Sequence, residues 1–85
     1  MKLPIIKHIN KFIEDNDSDY VLETIQLLEY ISESTAIKDD ELDVIGELVS
    51  NMYGSLEVQK LIDEGQTEKD ALNNFMKRVM GSIDK

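Results

Sequence analysis

The sequence predicts an all-α fold, either a four-helix bundle or a related orthogonal helical array with a long third helix. Apolar residues recur at spacings of three and four through most of the chain, which is typical of amphipathic helices. No segment alternates with period two over a useful length, so we expect no sheet. Short cap and turn segments separate four periodic stretches, as in helical bundles. With 85 residues, the chain predicts a single helical domain over 1–85.

The first predicted helix covers residues 4–15. Pro4 lies in its first turn, where the missing N–H costs no intrahelical hydrogen bond. The spacing of its apolar residues places them on one stripe. This stripe consists of Ile5, Ile6, Ile9, Phe12 and Ile13.

The second predicted helix covers residues 18–34 and follows the cap and turn segment Asn16-Asp17-Ser18. Leu22, Leu27 and Tyr30 lie off its core stripe, so we expect this helix to contact more than one neighbour. The core stripe consists of Val21, Ile25, Leu28 and Ile31.

The third and fourth predicted helices cover residues 40–63 and 68–80. The acidic residues 39–41 open the third helix, and acids in a first turn face the positive end of the helix dipole. Gly65 is the expected C-terminal glycine of that helix. A capping box at residues 67–70, with Asp in place of the usual Glu or Gln, begins the fourth helix, and Gly81 ends it.

The third helix is apolar on two sides, so it must be covered on two sides. We therefore expect it to be the central helix of the bundle, or to present one face to a second copy of the chain. The first face consists of Leu42, Ile45, Val49, Met52 and Leu56. The second face consists of Val44, Leu48, Val58 and Ile62.

Small residues lie between those faces, at Gly46, Ser50 and Gly54, with Tyr53 at the edge. Two interior glycines cost a helix roughly 1.5–2 kcal/mol relative to alanine, which close approach of another backbone would offset. Three interpretations stay open: close packing of another helix of the same chain, a homodimer seam, or a kink at Gly54. The hypothetical interface consists of Gly46, Ser50, Tyr53 and Gly54.

The net charge is −9 and its distribution is uneven. Residues 14–47 contain twelve acids and Lys38 as their one base, whereas residues 1–13 contain three lysines and no acid. A negative field repels phosphate backbones and anionic membranes, so we expect no nucleic-acid partner and no membrane partner. No cysteine is present, which fits a reducing compartment, and charges interrupt the N-terminal apolar run. We expect a cytoplasmic protein.

Two ligand sites match in part. Asp15, Asp17 and Asp19 occupy positions 1, 3 and 5 of a calcium loop, but the glycine and the bidentate glutamate of that loop are replaced by Tyr20 and Gln26. The pair Asp17-Ser18 is similar to the attachment site of acyl carrier proteins, without the leucine that follows it there. We expect neither a metal nor another cofactor.

No catalytic motif accompanies the lone histidine, His8, so we expect no enzyme activity and assign no catalytic residue. Our first hypothesis is a non-enzymatic protein–protein interaction protein, either a homodimer through the third helix or an adaptor for a larger partner. The alternatives are an acidic ligand-binding or carrier module, using calcium or a prosthetic group on Ser18, and an acidic mimic of nucleic acid formed by residues 14–47.

Three strings along the chain resemble a family of short, acidic, uncharacterised bacterial proteins known only as a domain of unknown function. They are Glu41-Leu42-Asp43-Val44-Ile45-Gly46-Glu47-Leu48, Ser50-Asn51-Met52-Tyr53-Gly54 and Phe75-Met76-Lys77-Arg78-Val79. The first and last residues of the chain fit the same family, so the resemblance spans nearly its whole length. It implies a stand-alone bacterial chain and brings no activity, cofactor or catalytic residue.

Overall fold

The computed structural model describes the backbone of residues 2–83 and the side chains of residues 2–80. Its four helices are α1 (Leu3–Asp15), α2 (Ser18–Ile31), α3 (Asp39–Asp63) and α4 (Glu68–Ile83). The predicted all-α class is confirmed, and the third helix is the longest, as predicted.

The helix ends use the polar residues that the sequence places there. Asp17 Oδ1 accepts a hydrogen bond from the backbone N–H of Asp19 at 3.0 Å and so caps α2. The Glu41 carboxylate accepts one from the N–H of Lys38 at 2.9 Å, and Thr67 Oγ1 accepts one from the N–H of Asp70 at 3.1 Å. These side chains satisfy backbone donors that the start of a helix leaves free.

Helix α3 ends in a Schellman motif around Gly65, the glycine that the sequence analysis placed at this helix end. Gly65 has a φ of 110°, a conformation that glycine adopts without steric cost. Its N–H donates to the carbonyl of Ile62 at 3.0 Å, and the N–H of Gln66 donates to the carbonyl of Leu61 at 3.1 Å.

Two helix ends differ from the sequence prediction. The second helix ends at Ile31 rather than at residue 34, because Ser32 Oγ donates to the carbonyl of Glu29 and Ser34 Oγ accepts from a nearby N–H. Such local side-chain bonds compete with the helix. The fourth helix continues through Gly81, since glycine ends a helix by turning left-handed and only Gly65 does so among residues 2–83.

Helix α3 is the central element, and α1, α2 and α4 each pack against it, whereas α1 and α2 touch each other little. The core therefore consists of two clusters along α3. The first contains Ile6, Val58, Ala71, Leu72 and Phe75, from α1, α3 and α4. The second contains Ile13, Val21 and Ile25, with Ile9, Val49, Met52 and Leu56 packed against them. The molecule is thin, measuring 43 × 35 × 17 Å.

Helix α1 packs closely over α3 at Gly54. A β-carbon at Gly54 would lie 2.9 Å from Ile6 Cδ1 and 3.2 Å from Phe75 Cζ. Both distances are shorter than ordinary contacts between carbons. At this glycine, therefore, close packing of a helix from the same chain offsets the cost of glycine.

Polar side chains flank Gly54 on α3 and hold α1 in place. Asn51 and Ser55 are fully buried. The N–H of Lys2 donates to Asn51 Oδ1 at 2.8 Å, and Asn10 Nδ2 donates to the carbonyl of Ser55 at 2.9 Å. Buried polar groups are costly unless they are hydrogen-bonded, so these pairs specify where α1 crosses.

Replacing the two glycines of the small-residue seam with alanine should change the stability of the protein in opposite directions. Nothing lies within 4 Å of a β-carbon at Gly46, so Gly46→Ala should raise the free energy of unfolding by about 0.5–1 kcal/mol through helix propensity. For Gly54→Ala, overpacking should outweigh that gain and lower the free energy by about 1 kcal/mol, with a larger loss for Gly54→Leu. Urea denaturation of the variants measures both changes. Equal stabilisation by alanine at the two positions would contradict the close crossing.

Candidate functional site

An apolar cleft of about 310 Å³ opens between α1 and α2. The two helices are joined by residues 16 and 17 alone, so they lie close at this end and make little contact elsewhere. The rings of Phe12 and Tyr20 meet edge to face there, with centroids 5.8 Å apart. The lining residues are His8, Ile9, Phe12, Tyr20, Val21, Thr24 and Met52.

The α2 side of the cleft continues along the helix beyond Thr24. Leu27 and Ile31 lie seven and eleven residues after Tyr20, so the helical repeat places them on the same edge of α2. The buried stripe of α2, which includes Val21 and Ile25, lies beside this edge and faces α3. We call the edge formed by Tyr20, Thr24, Leu27 and Ile31 the α2 wall.

The floor of the cleft is α3. Since α2 and α3 are joined by the short connection 32–38, they form an antiparallel hairpin, and Met52 lies near the start of α2. Leu48 and Val44 precede Met52 by one and two turns, toward the end of α2 where Ile31 lies. From the helical repeat we infer that the α2 wall and this α3 floor run side by side from the cleft, which His8 and Phe12 of α1 border at the Met52 end. We call the two rows together the groove. At its other end, Ile31 also lines a separate hollow between α2 and the following loop.

The groove leaves large apolar side chains in solvent. The exposed fractions are 45% for Phe12, 58% for Tyr20, 59% for Leu27, 59% for Val44 and 41% for Leu48. The accessible surface of the molecule is 6176 Å², whereas a compact monomer of 9.7 kDa exposes about 5,100 Å². Scattered apolar residues are normal on a surface, but a contiguous set marks an interaction site.

Acidic residues surround the groove on two of its three sides. Asp19 and Glu23 are exposed beside the α2 wall, and Asp40 and Glu47 are exposed on α3 near Val44 and Leu48. Glu47 forms an ion pair with Lys2 at 3.2 Å, which compensates part of its charge. The α1 side is mixed in charge, with lysines on its outer face. The groove therefore combines an apolar interior with a negative surrounding.

The structure separates the residues of the hypothetical interface. Gly54 is buried under α1, Ser50 is half-buried, and Gly46 and Tyr53 are exposed. The Tyr53 hydroxyl donates to Glu29 of α2 at 3.2 Å, on the edge of α2 opposite the groove. Gly54 is covered by α1 and α4 of the same chain, and the homodimer seam stays a prediction for Gly46, Ser50 and Tyr53.

The ligand candidates lie around the start of α2. Asp15 ends α1, Asp17 caps α2 and Asp19 lies in its first turn. In the part of the chain that the structure describes, no group of three or more histidine, aspartate or glutamate side chains could hold a metal ion. Ser18 is half-buried as the first residue of α2, and its role as an attachment site stays a prediction.

Comparison with protein families gives one match along residues 1–84, described as "Family of unknown function (DUF6952)". The chain belongs to this family. The resemblance found in the sequence is confirmed as far as a domain of unknown function. No curated protein and no solved structure matched this family member. None of its helices, as far as the structure describes them, is long and apolar enough to cross a membrane.

The sequence interpretation of this DUF6952 protein missed the groove. Leu22, Leu27 and Tyr30, which were expected to contact a second neighbour, are exposed by 45%, 59% and 74%. The second face of α3 is covered at Val58 and Ile62 by the α4 cluster and open at its other end. The signal was the spacing of Tyr20, Leu27 and Ile31, which adds a second apolar edge to α2.

The contact between Tyr53 and Glu29 predicts a shifted titration. The pKa of Tyr53 is raised above its usual value because its hydroxyl donates to the Glu29 carboxylate, whose negative charge also opposes the phenolate. In a Tyr20→Phe, Tyr30→Phe background, Tyr53 is the remaining tyrosine. Replacing Glu29 with alanine should then lower the pKa of Tyr53, as followed by near-ultraviolet absorbance, whereas Glu23→Ala should leave it unchanged. An unchanged pKa in the Glu29 variant would disprove the contact.

Proposed function

We propose that this protein is a non-enzymatic adaptor that binds another protein in the groove formed by the α2 wall and the α3 floor. The observation that carries the proposal is the row of exposed apolar side chains along the α2 wall and the α3 floor. Exposing such a row to water is unfavourable, at about 25 cal/mol for each Å² that a partner would otherwise cover. A standard interface covers about 800 Å² on each partner.

The charge distribution supports a different protein rather than a second copy as the occupant. The chain carries a net charge of −9, and twelve of its acids lie in residues 14–47. Two copies that met through their grooves would bring these acidic surrounds together, and like charges in an interface are unfavourable. The same field disfavours nucleic acid and anionic membranes as partners.

The lining of the groove supports binding rather than chemistry. The cleft is lined mainly by apolar atoms, with polar groups from His8, Thr24 and the Tyr20 hydroxyl. Proton transfer requires a titratable group placed against a second reacting group. The proposal also places the protein in the cytoplasm, supported by the absence of cysteine.

Site-specific crosslinking in the native cells tests the proposal. A photo-crosslinking residue at Leu27 or at Leu48 should give an adduct heavier than the monomer, because both positions lie in the groove. Leu22 is the matched control, since it is a similarly exposed leucine on the opposite edge of α2, and it should give little or no adduct.

The adduct must depend on the groove and not only on exposure. Tyr20→Asp, with the crosslinker kept at Leu48, should abolish it, and circular dichroism checks that the variant is folded. Equal adducts from Leu22 and Leu27 would refute a groove-specific partner. An adduct of twice the monomer mass would replace the adaptor with a homodimer.

A further inference from the structure

We infer that the occupant of the groove is a single amphipathic helix whose polar face is basic. This inference rests on the proposed function, because it names the partner that the same groove would bind. In helix-in-groove recognition, the bound helix inserts apolar side chains spaced three and four residues apart. The α2 wall and the α3 floor each present side chains at such spacings.

The shape of the groove fits a helix. The α2 wall places Tyr20, Leu27 and Ile31 over eleven residues, a length of about 16 Å. The α3 floor places Val44, Leu48 and Met52 four residues apart, over about 12 Å. Two antiparallel helices with apolar edges of about two and three turns accept a third helix as in a bundle, at about 8–10 Å between axes.

The cleft at the closed end fits one large anchor side chain. Its volume of about 310 Å³ is at the lower limit of small-molecule sites, which run from about 300 to 1,000 Å³. Apolar atoms of Phe12, Tyr20 and Met52 surround it. A leucine, methionine or aromatic residue of the partner would be buried here, and such central anchors contribute most of the binding energy.

The charges beside the groove favour an amphipathic helix with a basic polar face over one with an acidic polar face. A helix in the groove turns its outer face toward solvent and its flanks toward α2 and α3, which expose Glu23 and Asp40 beside the apolar row. Glu47 already forms an ion pair with Lys2. Lysine or arginine on those flanks would be favoured there, whereas glutamate or aspartate would be repelled. Each exposed pair contributes about 0.2–1 kcal/mol, so the apolar anchors set the affinity and the charges set the specificity.

Synthetic helical peptides test the inference with the full chain. The probe is a labelled peptide of three to four turns with leucines on one face and lysines elsewhere. Its controls are a glutamate version with the same leucines and a scrambled peptide of the same composition. Fluorescence anisotropy at physiological ionic strength should show binding of the lysine peptide, weakened at least tenfold by scrambling, since truncated anchors cost about 1–2 kcal/mol or more.

Matched variants place the peptide in the groove. Leu27→Asp should weaken binding about tenfold or more, because it puts a charge in the apolar wall. Leu22→Asp adds the same charge on the opposite edge of α2, so it should leave affinity unchanged or slightly improved. Near-equal losses in the two variants, or no loss in either, would overturn the inference.

Other outcomes assign the groove to a different occupant. Equal binding of the scrambled peptide would show that the groove does not recognise an apolar stripe on a helix. Equal binding of the glutamate peptide would show that it does not recognise basic charge. A dimer in sedimentation experiments that Leu48→Asp abolishes would assign the groove to a second copy. Failure of every peptide together with groove-specific crosslinks in cells would refute the basic helix and leave the adaptor function standing, whereas failure of both experiments would refute both.

Discussion

The crossing of α1 over α3 at Gly54 is the contact on which the rest of the structure depends. Glycine lets Ile6 approach α3 to a distance that any side chain would prevent. The bonds from Lys2 to Asn51 and from Asn10 to Ser55 fix α1 on either side of that point. Ile6 then belongs to the cluster shared with α4, and Ile13 to the cluster shared with α2. One short helix thus joins the two halves of a thin core.

This placement of α1 also explains why a groove exists. Helix α4 packs against the Val58 end of α3, and the cluster with α2 extends from Val49 to Leu56. Helix α1 crosses at Gly54 and is held at its start by Asn51. No other described helix covers Val44 and Leu48, which remain exposed. A chain of 85 residues buries only about 60–65% of its unfolded surface. The side of α3 beside the α2 wall is where this limit leaves a contiguous row of apolar side chains.

Local rules predicted the helices well, because their caps and turns depend on neighbours in sequence. Asp17, Thr67 and Gly65 act as their types predict. The site was less predictable, because periodicity tells which residues share a face and not which neighbour reaches it. Gly46 and Gly54 belong to the same small-residue stripe of α3 and have the same cost in helix propensity. Gly46 is nevertheless open to solvent, whereas Gly54 lies under Ile6. The second apolar face of α3 is likewise only partly covered: Val58 and Ile62 pack in the cluster with α4, whereas Val44 and Leu48 are exposed. Tertiary packing sets the boundary between the two parts.

The acidic residues around the groove have two roles that differ in range. Asp17 and Glu41 satisfy backbone donors at helix starts, an interaction complete within one turn. Their charge nevertheless adds to the field of Asp19, Glu23 and Glu47, because a hydrogen-bonded carboxylate keeps its charge. Such a field acts over about 8–10 Å at physiological ionic strength and speeds association more than it strengthens the complex. Helix capping and the attraction of a basic partner therefore favour acidic residues at the same positions. The acidity is explained equally well by either role. The apolar row between the charges is the feature that indicates a partner.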